Sequence, residues 1–205
     1  MKRDSIPYVV LFTFVVSAVF VTLLALANEG TKPLVEANKA YTAQAAVLDA
    51  LGIPYADKAE AQRLYAASVT AIEGTNPRAY RATLEGQDYI AVEQTGAGLW
   101  GAITIVLAAD PAAGRIRGVQ LVAQNETPGL GGRIEEAWFL NQFRGEAAAD
   151  GIRIAVGAES KGTGDRDSDN SLVDGVTGAS RTSSSFEVIV NEALKRVRAV
   201  AGGAQ

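Results

Sequence analysis

The residues best suited to chemistry lie in one short stretch near the C-terminus, Leu172–Thr182. Three hydroxyl side chains and two glycines occur there, directly before a segment with apolar residues at helical spacing. A helix N-terminus carries free backbone N–H groups and a partial positive charge, so it is suited to hold a phosphate group. The alternative is purely structural, with Ser180 or Thr182 as a helix N-cap and Gly178 as part of a turn. The apolar positions are Phe186, Ile189, Val190, Ala193, Leu194 and Val197.

Two other glycine-rich stretches, Gly96–Gly101 and Glu126–Gly132, are typical of loops where the backbone approaches a ligand closely. Neither contains the Gly-Lys-Ser/Thr of a phosphate-binding P-loop, and neither is a G-x-G-x-x-G turn. The aspartate-rich run Ser160–Ser171 lacks the glycine and the terminal glutamate of a calcium-binding EF-hand loop. We therefore expect a solvated loop at Ser160–Ser171 and no metal site.

The composition excludes several classes of chemistry. The chain has no cysteine and no histidine, which excludes thiol catalysis, disulfides, zinc–thiolate and iron–sulfur sites, and histidine-based triads. Without Lys2, Arg3 and Asp4, 17 basic and 22 acidic residues remain, a net charge of −5. That balance argues against a nucleic-acid partner.

An uncharged apolar run, Pro7–Ala27, predicts a transmembrane helix, since about 20 such residues span a bilayer. Lys2 and Arg3 precede it, so the positive-inside rule leaves the N-terminus in the cytoplasm and places residues 28–205 outside it. The alternative is a cleaved signal peptide with Ala25–Ala27 at its cleavage site. The run is long for the apolar part of a signal peptide, which is usually about 7–15 residues.

The remaining pattern predicts an α+β fold, a membrane helix followed by an extracytoplasmic domain with an antiparallel sheet flanked by helices. Its predicted parts are a cytoplasmic end (1–6), the membrane helix (7–27), a helical connector (28–66) and the domain itself (67–205). We expect a break or helix start at Pro33, a helix end at Gly52 and a short helix capped by Asp57. Predicted strands cover residues 69–73, 80–84, 89–93, 102–108, 116–124 and 152–156, and predicted helices cover 34–51, 57–65, 134–143 and 182–199.

Two motifs in this order resemble a known family. Asp174-x-x-Thr177-Gly178-Ala179-Ser180 is similar to the flavinylation motif of the FMN-binding C-subunit of the Na⁺-translocating NADH:quinone reductase and of the related G-subunit of the Rnf electron-transport complex. Glu126–Gly131 resembles the second signature of that family. The resemblance covers nearly the whole chain, and Gly98–Trp100 together with the N-terminal pattern favours the NADH:quinone reductase branch.

The resemblance implies FMN bound covalently, through a phosphoester to the last hydroxyl of the motif, which is Ser180 Oγ here. The family most often has threonine at that position, and Thr182 and Ser183 are the alternative attachment points. Asp174 would be recognised by the flavin transferase. Trp100 either stacks on the flavin or is a buried core residue. The predicted cofactor-binding residues are Ser180, Thr177, Gly178, Ala179, Thr182, Glu126, Thr127, Gly129, Leu130, Gly131 and Trp100.

The family implies an electron-relay subunit of an ion-translocating NADH:quinone reductase, in which the flavin carries the redox chemistry. No residue of this chain is then needed as a catalytic acid or nucleophile toward NADH or quinone. Its partners would be polytopic, flavin and iron–sulfur subunits, with a flavin transferase for maturation. The alternatives are the Rnf subunit, a freestanding membrane-tethered FMN carrier, and a non-redox anchored binding module.

Overall fold

The computed structural model describes residues 5–155 and 164–203. Its first element is a single helix, α1, which spans Ile6–Leu51 without interruption. The prediction of a break or helix start at Pro33 is wrong, because Pro33 lies inside α1. Proline lacks the backbone N–H of one helical hydrogen bond, and the Ala, Gln and Glu residues that follow favour the helical conformation enough to continue it.

Residues 1–41 and 42–205 form two separate compact units. In α1, an 18-residue window reaches a mean hydropathy of 2.8 and none of it is buried. In the described part of the chain, α1 is the one helix that is long and apolar enough to cross a membrane. A signal sequence shares these features. Lys2 and Arg3, on which the predicted orientation rests, lie outside the described residues.

The last turns of α1 belong to the second unit and are buried there. The helix ends at Gly52, as predicted, with a φ of +72° that glycine adopts without strain. The Ile53 N–H donates to Leu48 O at 2.9 Å and the Gly52 N–H to Asp49 O at 3.1 Å, which is the Schellman arrangement. The short helix α2 follows at Lys58–Ser68, and Asp57 caps it by accepting from the Glu60 N–H, as predicted.

The sheet has five antiparallel strands whose spatial order equals their sequence order. Glu85 and Gly86, with φ values of +53° and +80°, make the tight turn between the second and third strands. The predicted turn covered residues 85–88, and its last two residues belong to the third strand instead. The strands are β1 Thr70–Ile72, β2 Ala79–Leu84, β3 Gln87–Ala97, β4 Ala102–Ala109 and β5 Ile116–Ala123.

Helices cover both faces of this sheet. The end of α1 packs on one face, where a Cβ on Gly118 would lie 2.6 Å from Ala50 O, so a larger residue would push the helix away. The last helix, Ser180–Ala201, packs on the other face and is called α4 below. Its Phe186 makes an edge contact with Phe139 and a tilted contact with Phe143, at ring-centroid distances of 5.2 and 5.6 Å. The antiparallel sheet between helices confirms the predicted α+β class.

The segment between β5 and α4 differs most from expectation. A 3-10 helix, Gly131–Glu135, and a short helix α3, Ala137–Asn141, replace the single predicted helix 134–143. Strand β6, Arg153–Ala155, pairs in parallel with β7, Leu172–Asp174, so the stretch Leu172–Thr182 begins with a strand that was not predicted. Of the predicted loop Ser160–Ser171, residues 160–163 lie outside the described residues.

Candidate functional site

Helix α4 begins two residues earlier than predicted, at Ser180. The N-cap residue is Ala179, whose own side chain makes no capping hydrogen bond. The hypothesis that Ser180 or Thr182 is the N-cap is therefore wrong. Gly178 precedes this start with a φ of +80°, a conformation that turns the chain sharply into the helix. The first turn of a helix has backbone N–H groups without intrahelical partners, and their dipoles favour a negatively charged ligand.

The hydroxyl groups of this segment differ sharply in accessibility. Thr177 and Ser180 are exposed. Thr182 is 1% exposed and donates its hydroxyl to Glu126 Oε2 at 2.6 Å. Ser183 is fully buried, and its Oγ accepts the Val176 N–H at 3.0 Å. Of the three hydroxyls that the sequence offers for attachment, only Ser180 is open to a second molecule.

The buried carboxylate of Glu126 joins three segments. Its Oε1 accepts the backbone N–H groups of Leu99 at 2.8 Å and Trp100 at 3.0 Å, while Oε2 binds Thr182 at the start of α4. All three glycine-containing segments of the sequence therefore meet at one side chain. The N–H groups of the 99–101 turn are taken by this carboxylate and do not face a phosphate.

Glu126 is ionised at neutral pH. Burial by itself raises the pKa of its carboxyl, but the Thr182 hydroxyl and three backbone N–H groups of the 99–101 turn outweigh that effect and leave the pKa below its usual value. Donors of this kind stabilise the charged form of a carboxyl group. Glu126 is therefore a fixed negative charge inside the protein, with 5% of its surface exposed.

Two glycines make room for this carboxylate. A Cβ on Gly98 would lie 2.5 Å from Glu126 Oε1. A Cβ on Gly131 would lie 2.7 Å from Glu126 Oε2 and 2.6 Å from Thr182 Oγ1. Real Cβ atoms do not approach other atoms so closely, so any larger residue would displace the carboxylate. These glycines are required for close packing, and neither has a positive φ.

Exposed apolar side chains gather around the same loops. In the described part of residues 42–205, the exposed large apolar side chains are Leu99, Trp100, Leu130 and Val188. Trp100 is 71% exposed, so the alternative in which it belongs to the core is wrong. The Leu130 Cδ2 lies 3.6 Å from the position of a Cβ on Gly178, which places this side chain beside the start of α4. We call Leu99, Trp100 and Leu130 the apolar platform.

The loop that carries Leu130 is held by its own backbone. Thr127 O accepts the N–H groups of Leu130 at 3.1 Å and Gly132 at 2.9 Å, and Gly129 has a φ of +73°. Thr127 and Gly129 are themselves exposed. The loop therefore presents a fixed, partly polar backbone edge next to the apolar platform.

Asp174 is positioned by a residue that the sequence does not single out, Gln142. The Gln142 amide accepts the Asp174 N–H at 2.8 Å and donates to Asp174 O at 3.2 Å. It also accepts the Asp165 N–H at 2.7 Å, although it is only 8% exposed. A lone glutamine carries no sequence signal for this role.

Among residues 5–155 and 164–203, no group of three acidic, histidine or cysteine side chains is arranged to hold a metal ion.

Residues 98–195 match the family model of the FMN-binding domain. This range contains the apolar platform, Glu126, Asp174 and Ser180. The chain is also 34% identical over 97 residues to the C-subunit of the Na(+)-translocating NADH-quinone reductase of Yersinia pestis. That match covers 45% of this chain and 34% of the relative, so the chain spans about a third of the length of the curated protein that it matches.

Two solved structures share the fold. The C-subunit of the Na(+)-translocating NADH-quinone reductase from Parabacteroides distasonis aligns with a TM-score of 0.65 and 22% identity, over 83% of this chain and 95% of that chain. NqrC of Shewanella oneidensis aligns with a TM-score of 0.68 and 19% identity, over 82% and 99% of the two chains. The chain therefore shares the fold of these two structures, and residues 98–195 are similar to the FMN-binding domain.

Proposed function

We propose that this chain is a membrane-anchored electron-transfer subunit that carries FMN through a phosphoester bond to Ser180 Oγ. The observation that carries the proposal is the state of the three candidate hydroxyls. Ser180 is exposed at the start of α4, whereas Thr182 and Ser183 are buried and already hydrogen-bonded. A serine hydroxyl has the same nucleophilic oxygen as the threonine that is most often found at this motif position.

The start of α4 fits a phosphate ester. An ester on Ser180 Oγ would lie beside the first N–H groups of the helix, whose dipoles favour a negative charge. Gly178 and Ala179 place no large side chain there. The exposed Arg181 is the next residue along the helix and adds a positive charge nearby. The residues present therefore suit a covalently held phosphate.

The apolar platform fits the flat ring system of a flavin. Exposed leucine and tryptophan side chains bury surface when an aromatic ligand lies on them. The backbone edge at Thr127 and Gly129 offers polar groups to the rim of such a ring. When bound, FMN supplies the redox chemistry, and the residues of this chain fix its position and its surroundings.

Attachment requires an activated donor of the FMN phosphoryl group, such as a flavin dinucleotide. Ser180 Oγ forms a bond to the FMN phosphorus, the pyrophosphate bond of the donor breaks, the other nucleotide leaves, and the hydroxyl proton passes to solvent. The charge of Asp174 makes it a poor neighbour for the phosphate product. We assign Asp174 to recognition by the flavin transferase, with its backbone fixed by Gln142.

We further propose that α1 holds the chain in the cytoplasmic membrane as a single-pass protein. Lys2 and Arg3 support a cytoplasmic N-terminus, with the unit that begins at residue 42 on the opposite side of the membrane. By this proposal the partners are polytopic, flavin and iron–sulfur subunits of an ion-translocating NADH:quinone reductase. The negative net charge of the domain argues against a nucleic-acid partner.

The test is the mass of the full-length protein after co-expression with a flavin transferase. We expect one flavin adduct in the wild type and none in Ser180→Ala. Ser184→Ala is the matched control, because Ser184 is an exposed serine on the same helix; we expect it to keep the adduct. An adduct that persists in Ser180→Ala would refute Ser180 as the attachment site, and an unmodified wild type would refute the proposal as a whole.

A further inference from the structure

In the part of the chain that the structure describes, no cationic side chain binds the carboxylate of Glu126. Within the described residues, every donor to its carboxylate is neutral, namely the Thr182 hydroxyl and backbone N–H groups of the 99–101 turn. Hydrogen bonds from neutral groups stabilise an ion but leave its net charge in place. A charge inside a protein is screened by salt much less than one at the surface. It therefore acts on groups several ångströms away.

This charge lies directly beneath the apolar platform. The two N–H groups that bind Glu126 Oε1 belong to Leu99 and Trp100, the first two platform residues. A Cβ on Gly131, the residue after Leu130, would lie 2.7 Å from Oε2. The carboxylate is thus linked to the backbone of the platform from both sides.

We propose that Glu126 lowers the reduction potential of the flavin, and this inference rests on the proposed function. Adding an electron adds negative charge, so a fixed carboxylate nearby favours the oxidised over the reduced form. The same carboxylate fixes the loops that carry the platform. Glu126 is therefore a positioning residue that also tunes the flavin electrostatically, and it does not need to touch the ring.

Glu126→Gln separates these two roles because it removes the charge and keeps the shape. The amide oxygen can still accept the Leu99 and Trp100 N–H groups, and the amide NH₂ can donate to Thr182 Oγ1. We expect the ratio of reduced to oxidised flavin at a fixed potential to rise at least tenfold, a shift of about 59 mV for one electron or about 30 mV for two. Spectroelectrochemical titration of the full-length flavinylated protein at about pH 7.5, where the carboxylate is ionised, measures this ratio.

Glu73→Gln is the matched control, because it removes the same charge from an exposed position after β1. We expect its potential to equal that of the wild type. A Glu126→Gln potential equal to the wild-type value, or below it, overturns the inference. A wild type without a flavin adduct instead refutes the proposed function, and this inference with it.

Thr182→Val carries the test if Glu126→Gln does not fold. This variant keeps the charge but removes one donor, so the pKa of Glu126 rises. We expect a wild-type potential at about pH 7.5 and a potential above that of the wild type at acidic pH, where the carboxyl group of the variant protonates before that of the wild type. Thr182→Ser restores the hydroxyl and should restore the wild-type curve. Identical curves for Thr182→Val and the wild type contradict the inference.

Discussion

Removing the hydrogen bond between Thr182 and Glu126 is the most direct test of how the site contributes to stability, because a single substitution deletes the donor. Thr182→Val keeps the branched shape and deletes the hydroxyl that donates to Glu126 Oε2 at 2.6 Å. A hydrogen bond to a charged group contributes about 1.5–3 kcal/mol. Since Thr182 is 1% exposed, water cannot replace the lost donor. We expect the free energy of unfolding to fall by about 2 kcal/mol at pH 7.

The pH dependence of this loss has a definite sign. The pKa of Glu126 in the folded protein lies below its ordinary value of 4.5, so its contribution to stability is present above about pH 4.5 and is lost as the pH falls through the folded-state pKa. The difference between Thr182→Val and the wild type should therefore be largest near neutral pH. It should shrink below about pH 4.5, where the carboxylate becomes protonated.

Urea unfolding of the full-length protein in mild detergent, followed by tryptophan fluorescence, measures this difference. Thr104→Val is the matched control, because Thr104 Oγ1 lies 2.9 Å from Thr95 Oγ1 in an exposed, uncharged pair. Its expected effect is within about 0.5 kcal/mol. A Thr182→Val loss no larger than that of the control, or one that is equal at about pH 7 and about pH 3, would refute an ionised Glu126 held by Thr182.

Three further substitutions test the packing, a hydrogen-bond network and a buried carboxyl group of the same domain. Gly131→Ala should lower the free energy of unfolding by about 2 kcal/mol, because its Cβ would lie 2.6 and 2.7 Å from a buried hydroxyl and carboxylate. Gln142→Leu should cost about 2–3 kcal/mol and speed hydrogen exchange at the Asp174 amide, since it removes the hydrogen bonds to Asp174 and Asp165. Burial raises the pKa of Glu146 from 4.5 to about 7, so the free energy of unfolding of the wild type falls as the pH rises between these values. Glu146→Gln should therefore be more stable than the wild type by about 1–3 kcal/mol at about pH 8, and equally stable below about pH 4.5.

Each of these predictions has a clear contrary result. Gly129→Ala meets no atom within 4 Å but has a φ of +73°, so we expect a smaller loss, about 1 kcal/mol; a loss as large as that of Gly131→Ala would contradict the packing argument. Unchanged exchange at Asp174 in Gln142→Leu would show that Gln142 does not fix that strand. A Glu146→Gln variant no more stable than the wild type at alkaline pH would show that Glu146 is not held protonated.

The elements that follow local rules could be predicted from the sequence. The apolar spacing of 186–197 predicted the buried face of α4, because a helix on a sheet must bury one stripe. The Asp57 cap and the Gly52 helix end were predicted because each depends on a few neighbouring residues. The hairpin of β2 and β3 followed from alternation, with an error of two residues at its turn.

The features that depend on distant contacts could not be predicted. The parallel pairing of β6 with β7 joins residues 153–155 to residues 172–174, and no local pattern encodes it. Glu126 and Thr182 are 56 positions apart, so their contact could not be predicted from the sequence, although both residues were predicted for the site. The N-cap residue of α4 is Ala179, which departs from the usual preference for a side-chain hydrogen-bond acceptor at this position, and such departures are expected at functional sites.

The central claim is that Ser180 Oγ carries the flavin, and peptide mapping tests it most directly. The full-length protein, co-expressed with a flavin transferase, is digested and the modified residue is located by fragmentation mass spectrometry. We expect the flavin phosphate on Ser180 and unmodified side chains at Thr177, Thr182 and Ser183. A flavin located on any of these three residues, or no modified peptide in the wild type, would contradict the account.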